Sequence, residues 1–129
     1  MNLFIPIIFL IVNLIFPYYL FASEIELKPC IQISHCAREE WNVVDINNPL
    51  SEIKGILENT KRIRIVDFRE NYIHAEAISR IMKYVDDLEI SLKSSQNILV
   101  IRSESRVGEG DFGVNQKRID LIESKLFNS

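Results

Sequence analysis

Residues 62–105 read RIRIVDFRENYIHAEAISRIMKYVDDLEISLKSSQNILVIRSES, and the division of this stretch decides the fold. Four runs rich in β-branched and aromatic residues follow one another in it, RIRIVDF, YIHAEAI, DLEISLK and NILVIRSES. The gaps between them leave no room for the crossover helix that a parallel connection needs, so the runs pair antiparallel and a doubly wound fold is excluded. Glu70 and Asn71 separate the first two runs. A tight loop there sets Phe68 beside Ile73 and Val66 beside Ala75 on one face, with Asp67 facing His74 on the other. A tight loop at Ser95 and Gln96 likewise brings Leu92 to Leu99 and Ile90 to Ile101, and puts Glu89 opposite Arg102 on the second face. Ile65, Ile98 and Val100 share that second face with His74, Glu76 and Glu89. Its apolar members call for a cover, which is either the N-terminal segment or a helix folded over it, or else a partner or ligand.

Working outward, NNPLSEIKGILENT (47–60) places Asn48 as a cap, Pro49 at the first helical position and Leu50, Ile53, Ile56 and Leu57 at helical spacing, which predicts an amphipathic helix ending near Asn59. Before it, WNVVDI (41–46) alternates well enough for a short strand. VNQKRIDLIESKLF closes the chain as a second helix, with Asn115 as cap and Ile119, Ile122 and Leu126 on the side that packs on the apolar face of the sheet. The fold class that follows is α+β: an antiparallel sheet of about four to five strands, an amphipathic helix before it, a C-terminal helix on one face, and a hydrophobic helix at the N-terminus. Without internal repeats or a low-complexity linker, residues 24–129 read as a single domain.

The opening NLFIPIIFLIVNLIFPYYLFA is apolar from Leu3 to Ala22, about the length that spans a ~30 Å hydrocarbon core. Residues 1–23 are therefore a signal peptide or a membrane anchor. The first Lys or Arg is Lys28, so no basic n-region marks a leader, and Leu20 or Phe21 is bulky for a cleavage site. Both alternatives stay open. Either implies export, to a periplasm or thylakoid lumen, or anchoring with the domain facing that compartment, with membrane association through residues 1–22. An oxidising compartment would allow Cys30 and Cys36, in CIQISHC, to form a short-loop disulfide. With His35 they could instead offer metal ligands, but a second ligand pair at zinc-like spacing is missing, so no metal is assigned. Of 129 residues 26% are charged, with a net charge of −3, which lacks the basic excess that phosphate-backbone binding needs and excludes nucleic acid as the expected partner.

VGEGDFGVN (107–115) contains G-x-G-x-x-G, but a dinucleotide turn must open a βαβ unit with an acidic residue about twenty positions further on, beyond Ser129. No NAD, FAD or other cofactor is expected. Tight strand-to-helix geometry explains the glycines. The alternative is an anion seat with Arg102, Arg106, Lys117 or Arg118 as charge partners, against which stands Asp111, a residue equally suited to cap the turn and pair with one of those arginines.

YIHAEAISRIMKYVDDLEISL followed by ILVIRSESRVGEGDFGVNQKRIDLI resembles the bacterial and plastid family known as domain of unknown function (DUF) 1499. The matching positions are Tyr72, His74 and Ala75; Tyr84, Asp86, Asp87 and Glu89; Arg102, Ser103, Ser105, Arg106, Val107 and Gly108; Asp111, Gly113 and Asn115; and Arg118. The likeness runs from about Cys30 to the end and leaves out the leader. It implies that Asp86, Asp87, Arg102, Ser103, Ser105, Arg106, Asp111 and Asn115 form one polar cluster near the sheet end, either a network pinning the glycine loop or a site. His74, Glu76 and Glu89 make a second candidate site on the other face. Two functions follow: a non-catalytic binding or assembly module for an unknown protein or small-molecule ligand, or a small hydrolase or isomerase. The enzyme would combine Asp86 or Asp87 with His74 or Glu76 as acid and base, and Arg102 or Arg106 would steady an anion. The chain lacks a nucleophile elbow, P-loop or paired metal motif, which favours the binding module.

Overall fold

A computed structural model describes residues 24–129. The hydrophobic helix expected over the leader lies outside the described residues. The elements run β1 (Cys36–Asn42), α1 (Pro49–Glu58), β2 (Ile63–Arg69), β3 (Tyr72–Ile78), β4 (Val85–Lys93), β5 (Ile98–Ser105) and α2 (Val114–Phe127). The five strands form one sheet in the order β1-β5-β4-β3-β2, with every neighbouring pair antiparallel. β1 and β2 therefore sit at opposite edges, and α1 carries the chain between them.

Both helices lie on the same face. Leu50, Ile53 and Leu57 of α1 and Ile119, Ile122 and Leu126 of α2 are buried against Ile73, Ala75, Leu88, Ile90, Leu99 and Ile101 of the sheet. These positions recur every second residue in the strands and every third or fourth in the helices, so each element turns one apolar side inward. Full burial of each large side chain stabilises by about 1.5–3 kcal/mol before entropy is counted. Trp41 closes one end of the core, edge-on to Phe127 with ring centroids 5.9 Å apart.

The β4–β5 register is the one expected: Leu92 pairs with Leu99, Ile90 with Ile101 and Glu89 with Arg102. The chain turns through a 3₁₀ segment, Ser94–Gln96, with Asn97 left-handed at φ 53°. Between β2 and β3 the loop at Glu70 and Asn71 also holds, with Arg69 opposite Tyr72 and Phe68 opposite Ile73. The expected Val66–Ala75 pair does not form. A β-bulge at Val66 lets Ile65 pair with Ala75 instead. An extra residue in one strand reverses the faces of everything before it, so Ile65 joins the core rather than the second face and Val66 is exposed.

The first strand lies earlier than WNVVDI suggests. β1 runs along β5 from the Cys36–Glu104 pair to the Asn42–Ile98 pair and stops where β5 begins. There the Asn42 side chain accepts a hydrogen bond from the Val44 amide, at 3.0 Å. Val43 is nonetheless buried, and its amide donates to the Asn97 carbonyl. Asn48 stands at the N-cap position of α1 as assigned, its carbonyl accepting from the Glu52 amide, whereas Asn115 does not cap α2. Asn48 is left-handed, φ 55°, with no side-chain capping bond. Gly113 occupies the start of α2, and Asn115 lies inside the helix, fully buried.

The second face is covered by the chain's own N-terminal segment. Glu24 bonds to Ser95, the Ser91 hydroxyl donates to the Ile25 carbonyl, Glu26 pairs with Lys93, and Leu27 is buried. Val100 and Ser91 are buried on this face as a result of that cover.

Candidate functional site

The eight residues expected to form one cluster fall into two groups on opposite faces of the sheet. Side chains alternate along a strand, so Asp86 and Asp87 part company, and so do Ser105 and Arg106.

On the helix side Asp86 accepts from the Arg118 guanidinium at 2.9 Å, and both side chains are largely buried. Arg118 also donates to the Ser103 hydroxyl at 2.8 Å and to Asn115 Oδ1 at 3.0 Å. The Ser103 hydroxyl donates to the same Asn115 oxygen. The Asn115 amide nitrogen reaches the His35 carbonyl, the Ser105 hydroxyl and Asp111 Oδ2. Asp111 in turn accepts from the backbone amides of Gly113 and Asn115. Burial would raise the Asp111 carboxyl, but the bonds from the Asn115 side chain and from these amides outweigh it and hold the group below its ordinary range. This group ties β4, β5, the residue before β1, the glycine loop and α2 together, and each member is bonded to another.

The alternative of an anion seat finds the start of α2 and three of its four candidate cations already engaged by the chain itself. Asp111 already fills the start of α2, Arg118 is committed to Asp86, and Arg102 and Arg106 point to the other face. Asp111 makes its capping bonds but pairs with no arginine among the described residues. Glycine is required at Gly108 and Gly113, where φ is +96° and +75°. The loop leads into α2, and the sheet beside it is antiparallel, so the spacing match is not a dinucleotide turn.

On the open face Asp87, Arg102 and Arg106 join His74, Glu76 and Glu89. Arg106 clamps Asp87 with two bonds, 2.8 Å from Nε to Oδ2 and 2.7 Å from Nη2 to Oδ1. His74 Nε2 lies 2.8 Å from Asp87 Oδ1. The Arg106 guanidinium holds the Asp87 carboxyl below its ordinary range against the opposing effect of burial, and His74 adds to that. An ionised Asp87 can only accept, so the shared proton sits on His74 Nε2. Glu76 is bridged by Arg64 at 3.0 Å and by Arg106 at 3.4 Å. The Tyr72 hydroxyl donates to Glu89 at 2.7 Å, and burial, then Glu89 itself, pushes its pKa upward, so it stays protonated.

Arg102 is the central cation of this face. It is 8% exposed, reaches Glu104 at 3.1 Å and Glu89 at 3.7 Å, and its Nε–H has no partner within the described residues, as is also true of the Nε–H of Arg38, which faces it from β1. A groove of about 410 Å³ separates Glu26, Leu27 and Lys28 of the covering segment from His74, Asp87, Glu89, Arg102 and Glu104 of the sheet. His74 and Glu89 of the second-face candidates and Asp87 and Arg102 of the eight cluster residues thus line one cleft, with Arg106 joined to it through Asp87, and Glu76 through Arg106.

Glu104 and the covering segment were not among the expected site residues. Alternation from Arg102 signals Glu104, two residues on and therefore on the same face. Nothing local signals the covering segment, because the bonds of Glu24, Ile25 and Glu26 are to residues more than sixty positions away.

Cys30 and Cys36 are joined by a disulfide. Among the described residues no group of three or more His, Cys, Asp or Glu side chains is placed to hold a metal ion, and no helix is long and apolar enough to cross a membrane.

A search of the curated proteins finds no match. A family model does match, over residues 28–126, and its limits fall just inside the covering segment and one residue short of the end of α2. It spans every strand, both polar groups and the groove's lining except Glu26 and Leu27, and on that match the chain belongs to the family described as Protein of unknown function (DUF1499).

Proposed function

We propose that the chain is an exported or membrane-anchored binding module without catalytic activity, and that the open-face groove is its binding site. The observation that carries this is Arg102. A buried guanidinium N–H without an acceptor is costly, and natural proteins rarely leave one unmatched without a ligand, water or ion to complete it. The groove beside it is walled by carboxylates of Glu26, Asp87, Glu89 and Glu104. This donor and acceptor arrangement suits a small polar molecule that presents a carboxylate or carbonyl to Arg102 and amine or hydroxyl donors to the acids. Export is supported by the apolar leader and by the use of both cysteines in a disulfide, which persists in oxidising compartments.

Native mass spectrometry of the protein purified from its own membrane fraction tests the reading. Wild type is expected to carry a small-molecule mass that folded Arg102→Gln protein lacks. A bare wild-type mass, or a ligand retained by the variant, defeats it.

The second reading is a small hydrolase or isomerase, and one observation favours it. Asp87, fixed by Arg106, orients His74 as an aspartate orients a catalytic base. No hydroxyl or thiol is hydrogen-bonded to His74 among the described residues, so the base would act on water or on a carbon acid. Wild-type turnover of an ester or keto-acid panel that disappears in His74→Gln would establish this reading. A retained ligand without turnover leaves the binding module.

A further inference from the structure

We propose that the end of the molecule formed by the β3–β4 turn, the β2 entry and the glycine loop docks on an anionic lipid surface. Two clefts adjoin there and share Ser79, Asp86 and Val114. The first, of about 400 Å³, is lined by Lys61, Arg62, Arg80, Lys117 and Arg118, against the single acid Asp86. Arg118 is spent on Asp86. The other four cations have no ion-pair partner among the described residues. The chain as a whole carries −3, so this concentration of unpaired positive charge runs against its overall sign.

The second cleft, of about 450 Å³, is lined by Tyr84, Val107, Phe112 and Val114 beside Gly108 and Gly110, and its two acids are engaged within the chain, Asp86 by Arg118 and Asp111 by Asn115 and the Gly113 amide. Around it the loop tips carry large apolar side chains into solvent: Phe112 is 97% exposed, Ile81 84% and Met82 63%. Three non-glycine residues at these tips, Arg62, Lys83 and Phe112, are held left-handed, at φ 62°, 58° and 54°. Such conformations are sparsely populated and persist where the surroundings impose them. Cations beside an apolar slot match a headgroup phosphate beside its acyl chain. Convex tips bearing bare Ile, Met and Phe suit insertion into a soft interface better than a fit against a rigid protein surface.

The site uses none of the open-face groove. It also lies at the far end of the sheet from Glu24, which is bonded to Ser95 beside the β4–β5 turn. The length of β4, nine residues or roughly 30 Å, separates the two ends. Lipid contact at the tip is therefore distinguishable from insertion of the leader, which depends on apolar length and not on lipid charge.

The test uses the full chain carrying Phe112→Trp, since Trp41 is buried and contributes a constant background. Equimolar phosphatidylcholine and phosphatidylglycerol vesicles are expected to blue-shift the introduced indole and, with brominated acyl chains, to quench it. Phosphatidylcholine alone is expected to do neither, and high salt to reverse the effect. Replacing Lys61, Arg62, Arg80 and Lys117 together by Gln, with circular dichroism showing the fold intact, is expected to weaken the charge-dependent response by roughly a thousandfold. Unchanged emission on anionic vesicles overturns the proposal, including the case in which these loops meet a protein. An equal shift on neutral vesicles, or an undiminished response in the four-site variant, does so as well.

Discussion

Asn115 is fully buried, yet it is polar, and its side chain joins Ser103, Ser105, Asp111, Arg118 and the His35 carbonyl. Asn115→Ala leaves several of these groups buried without a partner, a loss of about 3 kcal/mol that urea unfolding will report. Asp87 acts on the other face and through charge. Its folded pKa is depressed chiefly by Arg106, so its contribution to stability is fully present above the ordinary carboxylate value, about 3.9, and is lost as pH falls through the lower folded value. Asp87→Asn is expected to cost about 1–2 kcal/mol at neutral pH. The gap between variant and wild type closes below about pH 4, as unfolding curves over a pH series will show. A gap that stayed constant with pH would mean that the side chain acts by shape alone. Both residues stood out in the family-like motif, but the motif could not divide their roles. That division depends on which side of the strand each one occupies.

The bulge at Val66 has the largest effect at the level of a single element. It turns Ile63 and Ile65 towards α1 while leaving Asp67 opposite His74 and Phe68 opposite Ile73. Without the bulge, regular alternation would place Val66 opposite Ala75 against α1 and turn Ile65 to the other face, so substituting each of the two residues tells the arrangements apart. Ile65→Ala is expected to cost about 1–2 kcal/mol, whereas Val66→Thr should change stability by less than about 0.5 kcal/mol. Comparable values for the two variants would show that the bulge does not set the register. Simple alternation across RIRIVDF cannot reveal a bulge, since Ile65 and Val66 are equally apolar and only the packing of α1 selects between them. α1 itself was legible in its spacing and in Pro49. Its C-terminal end is closed by side chains, Asn59 to the Gly55 carbonyl and Thr60 to the Ile56 carbonyl.

At the scale of the whole molecule, the decisive contact is the N-terminal segment on the open face. Leu27 is 4% exposed although it belongs to no element. Leu27→Ala is expected to cost about 2 kcal/mol and to raise hydrogen exchange in the amides of Ile25 to Lys28, measured by mass spectrometry. Protection unchanged from wild type would show that Leu27 does not hold the segment down. The sequence by itself determined the antiparallel pairing, the β4–β5 register and the two amphipathic helices, because connection length and side-chain period act over a few residues and leave one solution. The tertiary structure alone decided that β1 flanks β5, that β2 bulges, that residues 24–28 roof the groove, and that one run of polar residues serves as staple on one face and candidate site on the other. Each of these arises from contacts between segments distant in the chain, where the energy gained depends on how surfaces meet in space and leaves no periodic trace in either segment.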